Sequence, residues 1–148
     1  MELKDKIREL IIENERKELK GLKEMFKTHS KAADLDEDSS LSNEDFAQQD
    51  QFRESALGLE ARISQAKAAL DNFLNLDHGP KDSVEPGAMV LTDSLNFYIG
   101  ISATLFEYDG KKFIGLEPNA PFYAELRDAK KGDEVSYNQH QYKILDIL

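Results

Sequence analysis

"FRESALGLEARISQAKAALDNF", residues Phe52–Phe73, decides how this chain is built. Within it Phe52, Ala56, Leu59, Ile63, Ala66, Leu70 and Phe73 follow one another in alternating steps of four and three. That spacing keeps the apolar groups on one stripe of an α-helix. Sustained for three repeats, it is the seam of a coiled coil. A seam needs a second helix, and the residues upstream supply one. Residues 2–31 contain no proline, and Leu3, Ile7, Leu10, Ile11, Leu19, Leu22 and Phe26 form their apolar set. The spacing here drifts, and Glu15 falls where a core residue is expected. Folding the chain back near Ser39 sets Phe26 opposite Phe52, Leu22 opposite Ala56 and Leu19 opposite Leu59. The expectation is an antiparallel coiled-coil hairpin over residues 1–76, its arm reaching roughly 40 Å at the helical rise.

The turn of that hairpin carries the densest charge in the chain. "ADLDEDSSLSNEDF", Ala33–Phe46, holds six acidic residues and no basic one. The net charge is −10, and its distribution is uneven. Residues 1–31 have nine basic and seven acidic groups, whereas residues 32–60 have one basic and nine acidic. Charge runs usually form solvated faces, and a soluble loop would account for this one. It would not account for the polarity along the chain, with a mildly basic first helix leading into an acidic turn.

Downstream the period changes. "DHGPKDSVEPG", residues 77–87, is rich in Gly, Pro and charge and reads as a linker. From residue 88 to 148, "AMVLTD", "NFYIGIS", "KKFIGLE", "DEVSYN" and "QYKILDI" are short segments of β-branched and aromatic residues between turn signals. Asp109-Gly110 is a strong two-residue hairpin signal. "APFYAELRDAK" reads as one helix, with Pro121 near its first turn and Gly132 marking its exit. The fold class expected is α+β: a helical hairpin followed by a small antiparallel sheet with one helix.

The sequence has no cysteine, which excludes disulfide frameworks and thiolate metal sites. "MELKDKIREL" lacks an apolar signal core, and no segment approaches the about 18 apolar residues of a membrane span. A cytoplasmic protein without membrane contact is expected. His29, His78 and His140 are scattered, with no metal-ligand spacing, and His29 is a candidate for the seam. There is no Gly-rich phosphate loop, nucleophile motif or dinucleotide fingerprint.

In this order, the blocks resemble the Gre transcript-cleavage factors of bacterial RNA polymerase. "LEARISQAKAAL" (Leu59–Leu70) is similar to the second coiled-coil helix of that family. "LEPNAPFYAELRDAKKGDEVSYNQHQYKILDI" is similar to its closing block, a Pro-led helix, then Gly-Asp, then two final strands. The resemblance implies an FKBP-like C-terminal domain and an elongation factor whose hairpin enters the polymerase secondary channel. It implies RNA polymerase as partner, nascent RNA within the complex as a further contact, and no sequence-specific DNA binding. The chain itself would be at most an accessory that stimulates the polymerase's own transcript hydrolysis. No cofactor would be intrinsic; Mg²⁺ would be shared with the polymerase centre. An FKBP-like fold does not bring prolyl isomerase activity with it.

The resemblance also gives the acidic turn a role. Hydrolysing backtracked RNA needs oxygen ligands for a hard cation and a polarised water. In the family one Asp and one Glu of a "D-L-S-E" tip do this. Three placements are open here. Counting back without gaps from "LEARI" aligns Ser42 and Asp45 with that pair. Matching Leu41-Ser42 aligns Ser40 and Asn43. Matching "D-L-x-E" aligns Asp34 and Glu37. The catalytic and metal-handling candidates are therefore Asp34, Glu37 and Asp45.

Two further groups follow from the resemblance. Asn119, Pro121 and Phe122 fall on the segment that docks the C-terminal domain on the polymerase. Ala120 stands there for a serine that would cap the helix. A hydrophobic anchor holding the helix to the sheet is the alternative role for Phe122. Arg16, Lys20, Lys23, Lys27 and Lys31 share one helix face. In the family such a face contacts RNA, and the candidates here are Arg16, Lys20, Lys23 and Lys27. Ordinary exposed pairs with Glu13, Glu18 and Glu24 are the alternative. A non-cleaving secondary-channel regulator, or a coiled-coil interaction module, would use the same architecture differently.

Overall fold

The structure, a computed structural model, describes residues 2–33 and 43–148. Two long helices, α1 (Leu3–Ala33) and α2 (Asn43–Leu74), are followed by β1 (Met89–Thr92), β2 (Asn96–Ile99), β3 (Ala103–Tyr108), β4 (Lys111–Leu116), α3 (Pro121–Leu126), β5 (Glu134–Tyr137) and β6 (His140–Ile147). The architecture is the expected helical hairpin and small sheet. The chain divides into two compact units, one formed by Met1–Glu13 with Ala69–Leu148, the other by Asn14–Ala68. Among the described residues no helix is long and apolar enough to cross a membrane.

In the Asn14–Ala68 unit the seam is where the period puts it. Ala56 and Leu59 are buried, and Phe52, Ile63 and Ala66 are half-buried, while every residue between them from Arg53 to Ala68 is exposed. Leu19, Leu22, Phe26 and His29 are the half-buried row on α1, and Glu15 is half-buried with them. The His29 and Phe52 rings meet at 5.7 Å. Phe52 thus meets His29, one turn on from the Phe26 that was expected opposite it.

In the other unit a six-stranded sheet runs in the order β3-β4-β2-β1-β6-β5. The sheet is mixed, not antiparallel throughout: β2 and β4 pair in parallel, Phe97 beside Ile114 and Tyr98 beside Gly115. The cause is topological. The β3–β4 hairpin turns on Asp109-Gly110, both at positive φ (53° and 76°), as that dipeptide predicts. The hairpin inserts β4 between β2 and β3, so β4 runs the same way as β2. Gly115 sits in this crowded row, its α-carbon facing the Ile101 carbonyl and Ala103 too closely for a side chain.

Side chains along the central strands alternate between two cores. Val90, Phe97 and Ile99 pack with Val84, Tyr123, Leu126, Val135 and Ile144 on the α3 side. Met89, Tyr98 and Phe113 pack with Ile7 and Ile11 of α1 and Leu70 and Phe73 of α2 on the other. Early α1 residues meet late α2 residues, as an antiparallel hairpin requires. A register shift between Leu91 and Thr92 bends the β1–β6 ladder. It lets Ile144 and Ile147, three apart, both reach the α3-side core.

Residues 77–87, expected as a linker, carry ordered contacts within this unit. Lys81 bridges Asp77 and Glu85, each at 3.4 Å. Val84 is fully buried, and its amide donates to the Ala129 carbonyl at 3.0 Å.

Candidate docking groove and basic helix face

The expected tip carboxylates Asp34 and Glu37 lie outside the described residues. Asp45 falls in the first turn of α2 by its backbone, and its side chain lies outside them too. No group of three His, Asp or Glu side chains among the described residues is arranged to hold a metal.

The expected docking segment is built on α3. Pro121 occupies the first turn, where its missing N–H costs nothing. Ala120 precedes it in extended conformation (φ −70°, ψ 141°) and gives no side-chain cap, as its replacement of a serine predicts. Asn119 and Pro121 are exposed, and Phe122 is half-buried. The Phe122 ring lies 4.6 Å from Tyr137, 5.0 Å from Phe97 and 5.2 Å from Tyr142. These edge and tilted contacts are the favoured geometry for aromatic pairs. Phe122 therefore anchors α3 to the sheet and also keeps part of its ring on an open groove.

That groove, about 460 Å³, is walled by Phe97, Phe122, Tyr137, Tyr142, Leu116 and His140. A larger cavity of about 840 Å³ adjoins it through Leu95, Ile114, His140 and Tyr142. Leu105 and Leu145 line that larger space and are about half exposed (50% and 47%). The sequence named only Phe122 of this set. The other rings come from β2, β5 and β6, and nothing in their local spacing signals that they converge.

Arg16, Lys20, Lys23 and Lys27 are all exposed on α1. None of the four makes an ion pair among the described residues, although Glu18 and Glu24 lie within helical reach. An exposed basic row of this kind suits an anionic surface.

A third feature was not read from the sequence. His78 sits beside the end of α2, its Nε2 2.6 Å from the Phe73 carbonyl and its Nδ1 2.7 Å from the Tyr98 hydroxyl. Its pKa is lowered, first by burial, with Arg8 and Lys4 adding to the effect against the Phe73 hydrogen bond. Tyr98 is fully buried and its hydroxyl is pushed up to about 12, mainly by that burial. Nearby Lys4 is itself buried and donates to the Gly79 carbonyl at 2.9 Å.

No family model matches the sequence, and no curated protein matches it. Solved structures do. One is the transcription factor Gfh1, at 16% identity and a TM-score of 0.38, over 93% of this chain and 92% of that one. Another is GreA factor homolog 1 of Thermus thermophilus, at 16% identity and a TM-score of 0.35, over 97% and 93%. Neither likeness assigns a role to any residue of this chain.

Proposed function

We propose that this chain is a Gre-type elongation factor that binds RNA polymerase at its secondary channel, in the cytoplasm. The observation that supports it best is Phe122. The residue that the sequence resemblance marks for docking keeps part of its ring on an open aromatic groove, with Asn119 and Pro121 exposed beside it. A fully buried Phe122 would have spoken against that role. The exposed row Arg16, Lys20, Lys23 and Lys27 supports a second contact, with the phosphates of nascent RNA.

In this reading the sheet unit docks on the polymerase and the hairpin carries its acidic turn to the catalytic centre. Mg²⁺ at that centre would supply charge neutralisation and would make a water more acidic. The tip carboxylates, Asp34 with Glu37 or else Asp45, bind and orient. A carboxylate oxygen that accepts a hydrogen bond from the attacking water aims it at the phosphorus of the RNA backbone. The water oxygen bonds to phosphorus as the P–O3′ bond breaks, and the proton the water loses passes through the carboxylate or solvent to the departing 3′ oxygen.

One observation favours a second reading, a non-cleaving regulator of the same channel. The three placements of the tip motif disagree, and two of them lose one or both acids. The test is a stalled, backtracked elongation complex, with polymerase binding and RNA cleavage both measured. A cleavage factor shortens the transcript, and Asp34→Asn, Glu37→Gln and Asp45→Asn together abolish that while binding stays nearly intact. A regulator binds and competes with a true cleavage factor but releases no RNA at any Mg²⁺ concentration. A chain that does not bind polymerase at all is neither.

A further inference from the structure

Among the described residues of the Asn14–Ala68 unit, the seam holds two titratable side chains, Glu15 and His29, both on α1; the described α2 seam residues, from Phe52 to Ala66, are apolar. Glu15 precedes Leu19, Leu22, Phe26 and His29 in steps of four, three, four and three, and it is half-buried as they are. Counting along both helices from the His29–Phe52 contact sets it against the turn from Ile63 to Ala66. The basic residues beside that turn, Arg62 and Lys67, are exposed, and no ion pair joins either of them to Glu15. On its own helix the charge that bears on it is Glu18, of the same sign.

An ionised carboxylate in this position loses water and gains no cation, so its charged form is disfavoured. We infer that Glu15 makes the hairpin proton-responsive: the Asn14–Ala68 unit tightens when Glu15 takes up a proton and loosens when it ionises. Burial, with Glu18 second, pushes the Glu15 carboxyl up to about 7. The unfolded chain ionises near the ordinary glutamate value, so the native state holds the extra proton between the two. Stability is therefore full below pH about 4.5 and is lost as pH rises to about 7. The His29 Nδ1 is buried in the same seam without a hydrogen-bond partner among the described residues. Polar groups in an apolar seam commonly trade stability for register, which accounts for a position that is not apolar.

The inference does not depend on the polymerase reading, and its test needs no partner. Amide hydrogen exchange of the full chain is followed from pH 4 to 8 for wild type and Glu15→Gln, and rates are compared at each pH so that intrinsic exchange cancels. At pH 4 the two should match across Asn14–Ala68. At pH 8 the wild-type amides there should exchange about tenfold faster than those of Glu15→Gln. Carboxyl NMR of Glu15 in wild type and in Glu18→Gln gives a second reading. The midpoint should lie near neutrality in wild type and fall when Glu18 is neutralised. A rate ratio that stays constant with pH, or a Glu15 midpoint in the ordinary glutamate range, overturns the inference.

Discussion

Tyr98 and His78 are joined by a hydrogen bond whose direction the surroundings dictate. Nε2 of His78 faces the Phe73 carbonyl at 2.6 Å, and a carbonyl only accepts, so Nε2 carries the hydrogen. In the neutral ring Nδ1 is then the acceptor, and the Tyr98 hydroxyl donates to it at 2.7 Å. One neutral imidazole thus ties the end of α2 to the middle of the sheet.

The consequence is a loss of stability on acidification. Burial lowers the His78 pKa, so the native ring stays neutral after the unfolded chain has begun to take up a proton. The contribution is whole above about pH 6.5 and declines as pH falls through the lowered value. His78→Phe keeps ring packing on Phe73 but removes both hydrogen bonds, at a cost of about 1–3 kcal/mol at neutral pH. The difference in melting between the two proteins should shrink between pH 7 and 5. A constant difference would mean that the ring is not held neutral.

The seam can be graded by burial. Leu59 is 6% exposed, and Leu59→Ala should cost about 2–4 kcal/mol in urea unfolding. Ile63 is only half-buried, and Ile63→Ala should cost less, about 1–2 kcal/mol. Leu57, at 66% exposed, lies off the stripe, and Leu57→Ala should change stability by no more than about 0.5 kcal/mol. Equal costs at Leu57 and Leu59 would place the seam elsewhere.

Two glycines should respond to alanine with opposite signs. A β-carbon at Gly115 would stand 2.6 Å from the Ala103 nitrogen, with backbone in the way that cannot step aside. Gly115→Ala should destabilise the sheet unit by about 1–3 kcal/mol or prevent folding. Gly58 on α2 has nothing within 4 Å of such a carbon. Gly58→Ala should stabilise the hairpin by about 0.5–1 kcal/mol, because glycine is costly inside a helix. Thermal melts of both variants decide it.

At the groove, Phe122→Asp should weaken polymerase binding by about tenfold or more if the ring is a docking anchor. Phe122→Leu retains an apolar group and should bind within about threefold of wild type. Circular dichroism shows whether each variant is folded. A folded Phe122→Asp with unchanged affinity removes Phe122 from the docking surface and leaves it only as the anchor of α3.

Period and turn chemistry made the elements legible. The four-three spacing from Phe52 to Phe73 marked the buried stripe of α2 because a helix turns a fixed angle per residue. Asp109-Gly110 marked the β3–β4 turn because few residues adopt positive φ there. The same logic was available at Asn138 and Gln139, which close the β5–β6 hairpin with φ of 50° and 64°. Glu15 stands out in the sequence as a charge on an apolar stripe.

Features that depend on neighbours within a turn or a few residues are legible in the chain: two long helices, their common seam, the hairpin turns, and Pro121 at the start of α3. Which distant segments meet is set by packing across the fold. The parallel pairing of β2 with β4 follows from where a whole hairpin is inserted, and antiparallel order would have suited the same alternation. The convergence of Phe97, Phe122, Tyr137 and Tyr142 on one groove follows from strand order. The tautomer of His78 follows from a carbonyl five residues back and a hydroxyl twenty residues on, and its lowered pKa follows from burial. A ring's protonation depends on the groups packed around it, and those are chosen by the fold rather than by adjacency in the chain.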